Sequence, residues 1–101
     1  MGTLSQQEIN NALQNSPGWR RDGQFLRKEF VFPTFADVMV FVNEVAQVAE
    51  DISHYPDMDI HANTVKVSIT TESSAGITSK DLEIVKKAQE TEKAVFAELS
   101  K

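Results

Sequence analysis

Apolar residues recur along this chain with two rhythms, steps of three and four residues and strict alternation, and their order lays out a fold. Leu4-Ser5-Gln6-Gln7-Glu8-Ile9 is a complete helix start, with Ser5 as N-cap, Glu8 closing a capping box, and Leu4 with Ile9 as a hydrophobic staple. A short helix follows to about Gln14 and ends at Ser16-Pro17-Gly18. Trp19 to Arg21 and Phe25 to Phe32 read as paired strands around Asp22-Gly23, a dipeptide suited to the positive φ of a tight hairpin. Leu26, Phe30 and Phe32 share one face of the second strand, and Lys28 interrupts it.

Pro33 and the capping residue Thr34 open the main helix. Val38, Phe41, Val42, Val45, Val48, Ala49 and Ile52 give it an apolar stripe broad enough to cover a sheet. Beyond Pro56, Met58, Ile60 and Ala62 alternate with Asp57, Asp59 and His61; Asn63 supplies a turn; and Val65, Val67 and Ile69 alternate with Lys66, Ser68 and Thr70. After the bend Ser73-Ser74-Ala75-Gly76, a last helix starts on Thr78 with Asp81 as its capping-box carboxylate and Ile77 with Leu82 as staple. Its expected apolar face is Leu82, Val85, Ala88, Val95, Phe96 and Leu99. The order α-β-β-α-β-β-α predicts an α+β fold, a four-stranded antiparallel sheet with helices packed on one face. The sheet face without helices, or an edge strand, then needs a cover, and homo-oligomerisation is the economical one.

At 101 residues the chain reads as a single domain, 1–101, able to bury a core without staples. Its 41% hydrophobic and 25% charged residues are those of an ordinary globular protein. The absence of cysteine excludes disulfides, thiolate nucleophiles and thiolate metal sites. The polar opening lacks the apolar segment of a secretion signal, so a cytoplasmic location is expected. Gln6 stands where myristoylation after Met1-Gly2 wants Ser or Thr, and the longest apolar run, Val38 to Val42, is too short for a bilayer, so no membrane partner is expected. The formal charge is −5 and the ten basic residues are scattered, which argues against direct nucleic-acid binding.

The chemistry concentrates in Glu50-x-x-x-His54-Tyr55-Pro56 at the end of the main helix. Positions i and i+4 are neighbours on a helix, so Glu50 is placed to hydrogen-bond His54, raise its basicity and fix its tautomer. Pro56 delivers His54 at a helix-to-strand junction. Thr71-Glu72-Ser73-Ser74 leaving the last strand, and Trp19 near the first hairpin, could converge on the same end of the sheet. Together they supply a base, an acid, hydroxyls and a stacking surface, a set suited to a small planar heteroaromatic ligand rather than a phosphate cradle. Each has a plainer reading: Trp19 as core, Glu72 and the serines as solvated loop, Asp81 as a cap. His61 is expected to face outward. Two histidines separated across a proline break, with no third ligand, make a metal site unexpected.

Gly18-Trp19, Phe30-x-Phe32-x-x-Phe35, Ala49-Glu50-x-x-x-His54-Tyr55-Pro56-Asp57, Val65-x-Val67-x-Ile69-Thr70-Thr71 and Ala75-Gly76-Ile77-Thr78-x-x-Asp81 together resemble the pterin-4a-carbinolamine dehydratase family, one member of which also serves as a dimerisation cofactor of a transcription factor. The resemblance covers nearly the whole chain. It implies an α+β sandwich assembled as a homodimer or homotetramer, and dehydration of 4a-hydroxytetrahydropterins with no metal or organic cofactor. It implies that His54 acts with Glu50 as its supporting acid, that Tyr55 occupies a second-histidine position, and that Thr71, Glu72, Ser73 and Ser74 form a substrate-contacting segment, with Asp81 as the downstream aspartate. Trp19 and Pro56 complete the expected substrate-binding set. The chain departs from the pattern at Glu72, where a histidine is usual, and at Ala62, where an aromatic residue is usual; with Tyr55, two of three usual imidazoles are gone. Glu72, if buried, is then expected to stand in as general acid with His54 as base. The alternative function is a non-catalytic binding or assembly module with a protein partner.

Overall fold

The computed structural model describes residues 2–100. Three α-helices and four strands alternate as expected: α1 (Gln6–Leu13), β1 (Arg20–Asp22), β2 (Phe25–Val31), α2 (Phe35–Ile52), β3 (Asp57–His61), β4 (Thr64–Ile69) and α3 (Ser79–Leu99), with a 3₁₀ turn at Glu72–Ser74. The strands form one antiparallel sheet in the order β1-β2-β4-β3. The crossover through α2 sends the chain to the far edge for β3, and the hairpin then inserts β4 beside β2.

The register fixes which side chains face the helices. Leu26 opposite Ile69, Lys28 opposite Val67 and Phe30 opposite Val65 all point inward, and they meet Val38, Phe41, Val45 and Ala49 of α2 and Ile84, Val85, Ala88 and Val95 of α3. Phe41 is fully buried, with its ring 4.6 Å from Phe30 and 5.2 Å from Phe32. The polar interruption at Lys28 is compensated: its ammonium donates to Pro17 O at 2.7 Å and Gln89 Oε1 at 3.1 Å, pairs with Glu92 at 3.3 Å, and lies 4.6 Å from the centre of the Phe30 ring. Three donor positions and a ring face satisfy an ammonium that would otherwise be costly to bury.

Two sequence expectations shift. The first strand begins at Arg20, and Trp19 turns into the core, 8% exposed and edge-on to Phe30 at 5.9 Å. In α3 the buried stripe is Asp81, Ile84, Val85, Ala88, Thr91 and Val95, so Val85, Ala88 and Val95 face inward as expected, whereas Phe96 and Leu99 are 40% and 46% exposed. Successive residues on a helix are about 100° apart, so Phe96 falls on the flank of that stripe, where it still stacks on Phe32 at 5.5 Å. The sheet face without helices is mostly polar, with Arg20, Arg27, Glu29, Asp57, Asp59, His61 and Lys66 beside the exposed Val31, and among the described residues both outer strands, β1 and β3, keep an unpaired edge. Among the described residues no helix is long and apolar enough to cross a membrane.

Candidate active site

α2 ends at Ile52, two residues before its histidine. Ser53 adopts the left-handed conformation (φ 53°, ψ 44°), and His54 N–H reaches back to Ala49 O at 3.0 Å. That turn breaks the helical path on which i and i+4 neighbours depend. The Glu50 side chain stays exposed and makes no hydrogen bond or ion pair to His54, contrary to the spacing-based expectation.

Another carboxylate takes the place. Beyond β4 the chain folds back on itself, with Thr71 N–H donating to Gly76 O at 3.0 Å, and Ala75 passing through the left-handed region at φ 53°. This small loop sets Thr71 against Thr78 and the first turn of α3. Asp81, fully buried, accepts from His54 Nε2 at 2.6 Å through Oδ1, and through Oδ2 from the Thr71 hydroxyl at 2.7 Å and Thr78 N–H at 2.8 Å. The Thr78 hydroxyl lies 2.8 Å from that of Thr71. Since Thr71 donates to Asp81, Thr78 donates to Thr71, and both hydroxyls and both carboxylate oxygens are engaged.

This arrangement selects a tautomer. A carboxylate only accepts, so His54 Nε2 carries the proton that faces Asp81, and Nδ1 is the ring nitrogen left for chemistry. The His54 side chain is 13% exposed and belongs to the wall of a cleft of about 720 Å³ that Ser53, Thr71, Ser73, Ser74 and Lys80 also line, with residues Gly2 and Thr3 at its rim. Gly76 is held tight there, because a Cβ on it would sit 2.9 Å from Thr3 Cγ2.

The residues singled out by sequence are therefore divided. His54, Thr71, Ser73 and Ser74 meet at the cleft, with Asp81 directly behind the imidazole. Glu72 is exposed on the 3₁₀ turn and outside the cleft lining, so the burial on which its acid role depended is missing. Tyr55 is 60% exposed, and Pro56 borders a different depression with Arg27, Asp57 and Lys66. Trp19 belongs to the core. Thr78 and Lys80 were not among the candidates. Thr78 was legible only as a cap, and a lone lysine beside Asp81 carries no pattern. Among the described residues no group of three or more His, Asp or Glu could hold a metal ion.

The chain also resembles known proteins. The model of the family described as pterin 4 alpha carbinolamine dehydratase matches residues 2–91. The chain belongs to this family. Relatives named after the pterin-4-alpha-carbinolamine dehydratase share 40% identity over 90 residues in Thermomicrobium roseum, covering 89% of this chain and 97% of the relative, and 40% over 95 residues in Metallosphaera sedula, covering 94% and 99%. Among solved structures, the transcriptional coactivator/pterin dehydratase from Brucella melitensis superposes with a TM-score of 0.85 at 27% identity, over 89% of this chain and 98% of that one. A pterin dehydratase-like protein described as a RuBisCO assembly factor in the alpha-carboxysome shares the fold, with a TM-score of 0.65 at 16% identity over 77% and 93%. The dehydratase fold is thus common to chains of quite different sequence, and the His54–Asp81 pair lies inside the stretch that the family model matches.

Proposed function

We propose that this protein dehydrates a 4a-hydroxytetrahydropterin, with His54 as general base and Asp81 as the residue that holds it. The observation that carries the reading is the pairing of a buried carboxylate with a cleft-lining imidazole at 2.6 Å. In the reaction the N5–H bond breaks, the C4a–O bond breaks, a C4a=N5 double bond forms and water leaves. His54 Nδ1 accepts the N5 proton, and Asp81 opposite stabilises the resulting imidazolium. The departing hydroxide takes a proton from a water molecule, and the imidazolium returns the N5 proton to the hydroxide ion that this leaves in solvent. The carboxyl of Glu72 is displaced from the cleft, so one member of the usual acid–base set goes unreplaced, a loss of about 10²–10⁴ in rate. The enzyme is accordingly weak.

The ligand of the reading is a pterin, and no cofactor enters it. The family match, the near full-length relatives and the cleft beside His54 support it. A cytoplasmic homodimer or homotetramer belongs to the same proposal; support for assembly comes from the open β1 and β3 edges and from exposed Phe35, Val40 and Tyr55. Rapid-mixing measurement of quinonoid dihydropterin formation tests the catalytic part: His54→Ala is expected to lose about 10²-fold, the low end for a general base. Equal rates would remove His54 from catalysis. The second reading, a non-catalytic assembly module with a protein partner, is favoured by Tyr55 and Glu72 standing where imidazoles are usual. Calorimetric titration with a dihydropterin separates the two, since a module without a pterin site gives no binding heat.

A further inference from the structure

The cleft beside His54 contains a cation that the dehydration does not use. Lys80 lines it from the first turn of α3, half-buried, and among the described residues its ammonium makes no hydrogen bond and no ion pair. Among the described residues no carboxylate lines the cleft. Asp81, next in sequence, is fully buried with both oxygens occupied by His54, Thr71 and Thr78. Glu83, one turn further along α3, is exposed and unpaired with Lys80. Among the described residues, Lys66, Lys86, Lys87 and Lys93 are likewise without an ion pair, but carboxylates line the depressions they border, and beside Lys80 there is none.

We infer that the substrate is a pterin whose side chain ends in a phosphate monoester, and that Lys80 is the residue that selects it. This inference rests on the dehydratase reading of the same cleft. The physical grounds are size, charge and donors. At about 720 Å³ the cleft lies in the upper part of the range typical of small-molecule sites, so it holds a bicyclic ring and a substituent with it. Beyond the imidazole, the remaining groups are Lys80 and hydroxyl-bearing side chains that include Ser53 and Ser73. Those are donors to a tetrahedral oxyanion, and the ammonium provides the charge match. A neutral hydroxylated side chain would use the serines and leave the ammonium with water alone. A phosphate uses both, in a partly enclosed site where the attraction is stronger than on an open surface.

Calorimetric titration with 7,8-dihydroneopterin and with its 3′-phosphate tests this directly, because the two share the ring and differ in the terminal anion. At low ionic strength the phosphate ester is expected to bind about tenfold tighter, within the reach of one charge-assisted contact, and the ratio is expected to shrink as salt is raised. Lys80→Gln should bring the ratio to about twofold, and Lys80→Glu should invert it, because a like charge then faces the phosphate. Both substitutions are at a position outside the buried core, so folding is retained. Equal affinity of the wild type for the two pterins, or a preference that survives in Lys80→Gln, overturns the tail specificity while the pterin site stands. Failure of both pterins to bind overturns the pterin site and this inference with it.

Discussion

Replacing Asp81 with Asn probes the centre of the site with minimal change in shape. The carboxylate receives three donors at 2.6, 2.7 and 2.8 Å. An amide has one acceptor oxygen. If that oxygen stays with Thr71 and Thr78 N–H, the two donors that share Oδ2, the amide nitrogen faces His54 and offers only protons. His54 must then accept at Nε2 and carry its hydrogen on Nδ1, the nitrogen that serves as base, and the base is lost through the tautomer. A hydrogen bond to a charged group is worth roughly 1 kcal/mol more than a neutral one, so three weakened bonds amount to about 3 kcal/mol. For a domain of this size that lowers the melting temperature by ~15 °C and leaves a folded protein. Turnover should fall about 10²–10³-fold, the effect of removing a general base. Nitrogen-15 NMR of the imidazole supplies the readout that a merely structural role would leave unmoved: the hydrogen on Nε2 in the neutral wild-type ring, on Nδ1 in Asp81→Asn. Wild-type turnover with the hydrogen still on Nε2 would refute the assignment.

Other perturbations follow from the same geometry. Gly18 has φ 90°, and a Cβ there would come within 2.9 Å of Lys28 Cε, so Gly18→Ala should cost about 2 kcal/mol in urea unfolding through left-handed strain and a displaced ammonium; an unchanged midpoint contradicts this. Because Glu72 stands outside the cleft, Glu72→Ala should keep turnover within about twofold, whereas a gain of ten or more, roughly the benefit of a restored acid, is expected for Glu72→His only if the 3₁₀ turn can swing inward. The Glu8 carboxyl is held below its ordinary 4.5 by the Ser5 backbone N–H first and by the Ser5 hydroxyl second. A depressed acid stabilises the fold above its unfolded value and ceases to do so as pH falls through the folded one, so Glu8→Gln should flatten the low-pH limb of the stability curve. An NMR titration midpoint for Glu8 at or above 4.5 would contradict the sign.

Local signals specified much of this molecule. Both capping boxes, the Asp22-Gly23 hairpin, the alternation in β3 and β4 and the stripe of α2 depend on residues a few positions apart, and the elements form where those signals stand. Where packing across the molecule chooses among neighbouring residues, local signals are not enough. The buried stripe of α3 centres on Ile84 and Thr91, because the position of α2 and the sheet, which no local pattern encodes, sets which flank is covered. Trp19 joined the core for a related reason, since a three-residue strand can begin one position later without changing its hairpin.

The family and the histidine were thus written in the sequence, whereas the histidine's partner was decided in three dimensions. Glu50 has the right spacing, but Ser53 in the left-handed region turns His54 off the helix before that spacing takes effect. Asp81 is twenty-seven residues away, and its local pattern is that of a helix cap; the loop from Thr71 to Gly76 sets it so that Oδ1 meets His54 while Oδ2 keeps the cap. A periodic pattern encodes contacts within one element. A pairing between the end of one helix and the start of another depends on how the chain crosses the sheet, and that is fixed only when the core closes.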